Sequence, residues 1–313
     1  MRKSKLVGVI FVLAVGVSLA QRWGGRGWRS SGDTGIVYTE GRVPVEVDKV
    51  RTAREIASHS TETPNWTNPP GFEKDVFTFV RIIRARDPNG SPTSGNWITD
   101  FPDSDLNLSY RLQQVTSLKV DPDGRVLRLT DPALFNYPWI YMVEPGALLL
   151  HDEEVPILRR YLLNGGVLMA DDFWGEWQWE GFASQIKRVL PERQYEFQDL
   201  HMDHPIFHSV FDIKVPMNQL QTPASHWVEQ RRSTEFTWET YHPTRDGGQE
   251  DCRDMHVRAI LDDKGRILVI ATHNCDNGDS WEREGEDDFF FHEFSEKRGY
   301  PLGINIVFYL MTH

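Results

Sequence analysis

Residues 137–175 constrain the fold more than any other stretch of the chain. Tyr137-Pro-Trp-Ile-Tyr-Met-Val-Glu144 and Val167-Leu-Met-Ala170 are nearly continuous apolar runs. Between them lies an amphipathic segment whose inward stripe is Val155, Leu158 and Leu162. It opens with Asp152, Glu153 and Glu154, carries Arg159 and Arg160 later, and stops at Asn164-Gly165-Gly166, so charges and stop signal both suit a helix dipole. Apolar runs without alternation belong to strands covered on both faces. The unit predicts strand, helix and strand in a right-handed parallel crossover, and with it an α/β fold.

The flanking sequence extends this pattern. Val76 to Ile83 reads as the first core strand and residues 87–101 as a Gly/Pro/Ser-rich loop. Asp103 caps a predicted helix reaching about Leu118, with Leu106, Leu108, Leu112 and Val115 on its apolar side. Asp-Pro-Asp-Gly at 121–124 turns into a short strand, Val126 to Leu129, and Glu176 to Leu190 forms a further helix. Residues 200–250 are irregular and Pro-punctuated, and Leu302 to Met311 closes the chain as an apolar core helix. Upstream, Ile36 to Val47 alternates like a strand and Val50 to Ala57 suits a short helix. Thr61 to Phe72, with Pro64, Pro69 and Pro70, is a strap. The domain organisation is a signal peptide at 1–20, a flexible N-terminal segment and strap at 21–70, and one α/β domain at 71–313.

Arg2, Lys3 and Lys5, then the apolar run Leu6 to Leu19 and a Ser18-Leu-Ala20 cleavage site, have the pattern of an export signal. The expected location is periplasmic or secreted, with no membrane span in the mature chain. Cleavage removes three of 34 basic residues, so 31 face 46 acidic ones. That balance excludes a nucleic-acid partner, whose phosphates require a basic surface. Cys252 and Cys275 are the only cysteines and would sit in an oxidising compartment. They flank two predicted strands, Met255 to Leu261 and Arg266 to Thr272, joined by Asp262-Asp-Lys-Gly265. A turn centred between Asp263 and Lys264 sets the cysteines opposite one another, and a Gly265 bulge would make them diagonal neighbours. Either register predicts a disulfide.

In open α/β sheets, ligands bind beyond the carboxyl ends of the strands. Those ends carry Asp100, Asp131, Glu144, Asp171-Asp172, and His273 with Asp276 and Asp279. Carboxylates converging with an imidazole suit a divalent metal or an acid/base pair. The competing reading is that Asp172 caps the next helix while Asp276 and Asp279 bind their own turn. Asp171 is the first choice for a functional role, and Asp171, Asp172 and His273 form the candidate metal set. In the run from Asp100 to Asp105, Asp103 and Asp105 serve the helix start and leave Asp100 free. His201, Asp203, His204 and His208 lack metalloprotease spacing and read as loop packing around Pro205. Trp174, Trp177, Trp179 and Trp281 flank the acidic strand ends and could stack on sugar rings, although tryptophans along a helix serve the core equally well. No Gly-x-Ser-x-Gly elbow, Walker loop, dinucleotide fingerprint or Cys-x-x-Cys is present.

Several segments taken together resemble a bacterial family described as domain of unknown function 4159. They are Phe77-Thr-Phe-Val-Arg-Ile82, Thr99-Asp-Phe-Pro-Asp-Ser-Asp-Leu-Asn-Leu108, Leu127-Arg-Leu-Thr-Asp-Pro132, Tyr141-Met-Val-Glu-Pro-Gly146, Leu158-Arg-Arg-Tyr-Leu-Leu-Asn-Gly-Gly166, Asp171-Asp-Phe-Trp-Gly175, Asp203-His-Pro-Ile-Phe207, His273-Asn274 and Gly303-Ile-Asn305. The Arg-Tyr-Leu-Leu-Asn-Gly-Gly and His-Pro-Ile-Phe units also look like the class I glutamine-amidotransferase-like and ThuA-like group. That wider resemblance implies a flavodoxin-like three-layer sandwich with a mainly parallel sheet, to which the C-terminal hairpin adds antiparallel strands. It does not bring glutaminase activity, because Ala170-Asp-Asp-Phe173 stands where amidotransferases place a nucleophilic Cys.

The expected function is binding of a small polar ligand or carbohydrate without a covalent nucleophile. Its candidate residues are Asp100, Glu144, Asp171, Asp172, Trp174, His273 and Asp276, and a divalent metal is the candidate cofactor. Alternatives are a metal-dependent hydrolase using Asp171, Asp172, Asp100 and His273, and a structural module of a cell-envelope complex.

Overall fold

The computed structural model describes residues 35–72, 75–84, 97–239 and 251–313. The expected export signal, the rest of the segment up to residue 34 and most of the loop from 87 lie outside the described residues. A seven-stranded sheet forms the centre. In chain order its strands are β3 (Val80–Ile83), β4 (Arg125–Arg128), β5 (Trp139–Val143), β6 (Val167–Asp171), β7 (Gln198–Asp199), β8 (His256–Leu261) and β9 (Ile267–His273). Their spatial order is β4-β3-β5-β6-β9-β8-β7. Pairing is parallel from β4 through to β9, and antiparallel for β9 with β8 and β8 with β7. A separate antiparallel pair, β1 (Ile36–Tyr38) and β2 (Pro44–Glu46), belongs to the N-terminal segment.

Helices cover both faces of the large sheet. Leu108 and Leu112 from α1 (Asp103–Val115) and Leu302, Ile304 and Ile306 from the last helix, α7 (Tyr300–Thr312), pack with Phe79, Tyr141, Met169 and Ile270. The opposite face carries α2 (Glu154–Leu163) and α3 (Gly175–Val189), whose Leu158, Leu162, Phe182 and Ile186 meet Ile140, Met142, Leu168 and Ala271. Successive strand residues point to opposite faces, so the continuous apolar runs around β5 and β6 feed both layers. The predicted strand-helix-strand unit is β5, α2 and β6, with Val143 beside Asp171 in parallel register. Between β9 and α7 the chain makes α5 (Asn277–Glu282), α6 (Asp288–Phe290) and a π-helical stretch, Phe291–Gly299. α4 (Ser225–Arg231) interrupts the irregular region. Where sequence pattern predicts a helix at 50–57, the chain makes one 3-10 turn, Ala53–Glu55.

The whole N-terminal segment from β1 to residue 72 acts as one strap and lies against the domain. Trp66 Nε1 and Asn68 Nδ2 donate to the Val120 carbonyl, and Arg54 donates to the Pro122 carbonyl. The Ala53 amide donates to Asp123 and the Val126 amide to Arg51.

The expected disulfide is not formed: Cys252 and Cys275 are free, buried thiols. The hairpin register is the reason. His256 pairs with His273, two places from the register that would oppose the cysteines, with an irregularity between Ile260 and Leu261. Asp262 Oδ1 accepts from the Lys264 and Arg266 amides, which centres the turn on Lys264. Cys252 consequently precedes β8 in a turn, and Cys275 lies past β9 against the Thr222 amide.

Candidate functional site

The strand order creates a switch point between β3 and β5, where successive connections leave in opposite directions along the sheet. Ligand sites of open α/β sheets form outside the carboxyl ends of the strands at such a point. At these ends the backbone takes an uncommon form. β5, β6 and β9 are each followed at once by a residue in the left-handed region, Glu144 (φ 46°), Asp172 (φ 57°) and Asn274 (φ 58°). Asp100, at the end of the loop from β3, matches them at φ 61°. Such conformations cost on the order of 1 kcal/mol each without glycine and persist where surrounding structure fixes them. Here Asn274 is fixed by three bonds: its Oδ1 accepts from the Gly175 amide, and its Nδ2 donates to the Asp251 and Asp254 carbonyls.

Asp171 and Asp172 are sequence neighbours with opposite environments. Asp171 accepts from Tyr141 Oη (3.1 Å), Thr272 Oγ1 (2.5 Å), the Asn277 amide (3.0 Å), Asn277 Nδ2 (2.8 Å) and the Gly278 amide (3.0 Å). Both its oxygens are saturated, and the residue fastens the start of α5 to the end of β6. Asp172 turns the other way and accepts one hydrogen bond, from Trp174 Nε1 at 3.1 Å.

Asp100, Asp172 and Asp276 come together. Each is buried, and one carboxylate oxygen from each lies within 4.8 Å of the others. Two oxygens bound to one calcium-sized cation at ~2.4 Å stand at most about 5 Å apart, so the separation suits a shared ion. Asp276 also caps α5, accepting from the Asp279 amide at 2.8 Å. Asp100 is 0% exposed, and among the described residues neither of its oxygens has a hydrogen-bond partner. An unpaired buried carboxylate is among the costliest groups a fold can hold. Burial, then the charges of Glu282, Asp279 and Asp172, push the Asp100 carboxyl well above its usual range. Burial and neighbouring carboxylates do the same to Asp172 and Asp276.

His273 stands apart from this trio, and the structure does not assemble Asp171, Asp172 and His273 into one ligand set. Asp171 and its bonded neighbour Thr272 lie on the α7 side of the sheet, so His273 faces the α3 side. There it packs against Phe173 and Trp179. Nε2 meets the Gly175 carbonyl at 3.1 Å and Nδ1 meets Arg258 Nη1 at 3.3 Å, so both ring nitrogens are engaged. Burial, reinforced by Arg258, pushes the imidazole down to about 3 and keeps it neutral.

The remaining predicted residues also have definite places. Glu144 precedes a 3-10 turn, and its carbonyl accepts from the buried Arg84 at 2.7 Å. Asp131 caps the turn Pro132–Asn136. Asp105 pairs with Arg81 inside the core, its Oδ1 and Oδ2 each 3.0 Å from Nε. His204 accepts from the Ile206 amide and packs on Tyr309, in keeping with loop packing. Trp281 is fully buried and donates to the Gly299 carbonyl, while Trp179 packs beneath the Arg258 guanidinium, 4.1 Å from ring centre to Cζ. Trp177 is 56% exposed and Trp174 belongs to the Asp172 contact.

Sequence reasoning missed Glu40, His59, Glu239 and Glu282. Glu282, 0% exposed, ends α5, and Glu239 accepts from the Ala224 amide at 2.6 Å. Burial first, and Asp279 and Glu144 among the neighbouring charges, push Glu239 up to about 8. His59 comes from the strap and bridges Asp103 (2.8 Å) and Glu282 (3.0 Å). Burial opposes its charged form, but those two partners outweigh it and lift the imidazole to about 10. No local motif marks these residues, because the contacts join segments distant in sequence.

Neither cysteine is an activated nucleophile. Burial and then Asp251 push the Cys252 thiol up to about 12, and burial and then Asp171 hold Cys275 well above its usual range.

Fold and site together define a three-layer α/β domain whose strand-end centre is built of buried carboxylates. The chain belongs to the family described as domain of unknown function (DUF4159), whose model matches residues 80–311. No curated protein matches it in sequence.

Proposed function

We propose that this domain binds a hard divalent cation at Asp100, Asp172 and Asp276, and through that ion a small polar, oxygen-rich ligand. The observation that carries the reading is Asp100: a fully buried carboxylate in left-handed backbone, both oxygens unpartnered among the described residues and one of them within 4.8 Å of an oxygen from each of two more buried carboxylates. Folding tolerates such a group when something outside the chain supplies positive charge. An all-oxygen donor set favours Ca²⁺, Mg²⁺ or Mn²⁺ over Zn²⁺, which prefers nitrogen and sulfur.

The first five parallel strands, β4-β3-β5-β6-β9, run in the order 2-1-3-4-5, and this supports a flavodoxin-like reading of the sheet. Kinship with the amidotransferase-like group remains part of the proposal. Saturation of Asp171, in the Asp171-Asp172 pair near the place where that group holds its nucleophile, supports chemistry without covalent attack. We place the protein outside the cytoplasm on the strength of its N-terminal signal pattern. A carbohydrate or other polyol is the favoured ligand class, since its hydroxyls can complete the coordination of a hard cation.

Isothermal titration of the EDTA-stripped chain with Ca²⁺, Mg²⁺ and Mn²⁺ tests the reading. Saturable binding of at least one ion, weakened tenfold or more in Asp172→Asn, is the expected result. No heat of binding for any of the three would sink it.

A further inference from the structure

Asp100 belongs to a second constellation as well. Oxygens of Glu40, Asp100, Asp279 and Glu282 lie within 4.8 Å of one another, and all but Glu40 are buried. Glu40 comes from the N-terminal hairpin, directly after β1, while Asp279 and Glu282 stand on α5. The two constellations share only Asp100, whose two oxygens are both unpartnered. The Asp100 carboxylate therefore stands between the two groups with no hydrogen bond committing either oxygen.

The alternative reading of this second group is an ionic latch that holds the strap down. Arg283 supports it: its Nη1 reaches Glu286 at 3.1 Å and its Nη2 pairs with Glu40. Yet Arg283 serves the interior of the group poorly. Its Nε lies 2.9 Å from Glu282 and 3.6 Å from Asp279, but forms no aligned hydrogen bond with either. His59 Nε2 is likewise 3.0 Å from Glu282 without hydrogen-bond alignment, and among the described residues both Glu282 oxygens lack a hydrogen-bond partner. Counting Glu286 and Asp103, six carboxylates meet the two organic cations Arg283 and His59 here. The pairing is dense in charge and poor in directed bonds, which suits oxygens arranged for a spherical ion.

We infer that the centre takes two divalent cations bridged by the Asp100 carboxylate, the second held by Asp279, Glu282 and the strap residue Glu40. This rests on the first cation reading and adds to it. Two ions sharing a carboxylate stand roughly 3.5–4 Å apart, close enough for direct magnetic coupling and for clamping one ligand oxygen between them. The strap then becomes part of the binding centre, because Glu40 closes the second coordination sphere.

Mn²⁺ alone is the probe. The EDTA-stripped full-length chain is equilibrated with Mn²⁺, freed of excess by gel filtration, and examined by elemental analysis and electron paramagnetic resonance. Two Mn²⁺ per chain with a spin-coupled spectrum is the expected result. Glu40→Gln, at the exposed end of the set, should lower the count to one and restore the six-line signal of an isolated ion. Glu282→Gln should do the same, and since it also removes a His59 partner, Glu40→Gln keeps the test decisive if that variant fails to fold. One uncoupled Mn²⁺ in the unsubstituted chain would overturn the second site and leave the first standing, whereas none would overturn both. Two coupled ions retained in Glu40→Gln would remove the strap from the centre and overturn the inference as stated.

Discussion

Asp100 and Asp171 show how little burial alone says about a carboxylate. Both are 0% exposed, yet one accepts five hydrogen bonds and the other none. In Asp171→Asn the new amide would face donors with a donor, and losing hydrogen bonds to a charged acceptor costs about 1.5–3 kcal/mol each. The variant should therefore melt lower by similar amounts in EDTA and in Ca²⁺. A loss seen only with Ca²⁺ present would return Asp171 to the cation site. The sequence singles out Asp171 because it ends a core strand. What sequence alone could not supply is the identity of its donors, four of them on α5 and β9. The same blindness applies to Asp100, whose isolation depends on what fails to approach it.

At the scale of elements, α5 organises the centre. Its first turn presents the Asn277 and Gly278 amides to Asp171, its cap Asp276 enters the first trio, and its last residue Glu282 enters the second group. Gly278 is the tight point: a Cβ there would stand 1.9 Å from Asp100 Oδ2. Gly278→Ala should weaken cation binding by tenfold or more while leaving the far-ultraviolet circular dichroism unchanged; unaltered affinity would show that Asp100 can move aside freely. Beneath the loop that carries Asp100, Arg81 pairs with Asp105 and donates to the Trp97 and Thr99 carbonyls at 3.0 and 2.8 Å. Breaking a buried pair by removing one partner costs about 3–5 kcal/mol, so Asp105→Asn should lower stability by that much in chemical denaturation. A change below about 1 kcal/mol would mean the pair is not what anchors the loop. The long elements β5, α2, β6 and α3 were legible because apolar period and end signals agree. α5 was not: six residues, Asn277 to Glu282, are too few to show a period, and their helical form depends on Asp171 and Asp276 accepting from its first amides.

Across the whole molecule, the N-terminal strap and the C-terminal helices meet over the centre, with Glu40 and Arg283 paired across 243 residues. Local pattern could place a strap on the domain but not Glu40 and His59 over the strand ends, so the carboxylate that closes the second group lay beyond sequence reasoning. Charge also sets a pH response. Glu282 is raised to about 8 by burial and then by Glu40, so the folded chain binds its proton more tightly than the unfolded chain, where a glutamate titrates near ~4.3. Stability from that group is lost as pH rises from about 4.3 through 8. His59, raised to about 10, contributes fully below its unfolded value of ~6.5 and loses that contribution as pH rises through 10. Both act in one direction, so the EDTA-treated chain should melt lower at about pH 8.5 than at about pH 6. Cation affinity should rise over the same interval, because protons and cations compete for the same carboxylates. A flat response of both quantities would contradict this assignment of charges.

The most direct test of the central claim compares melting curves of the native chain and Asp100→Asn, each in EDTA and with Ca²⁺, Mg²⁺ or Mn²⁺. If Asp100 is a buried charge awaiting a cation, Asp100→Asn removes repulsion and should melt higher than the native chain in EDTA, by ~2–4 °C per kcal/mol relieved. One of the three ions should stabilise the native chain, by about 2.7 kcal/mol at a hundredfold excess over Kd, and leave Asp100→Asn nearly unmoved. The account is contradicted if Asp100→Asn melts lower in EDTA and none of the ions shifts the native chain.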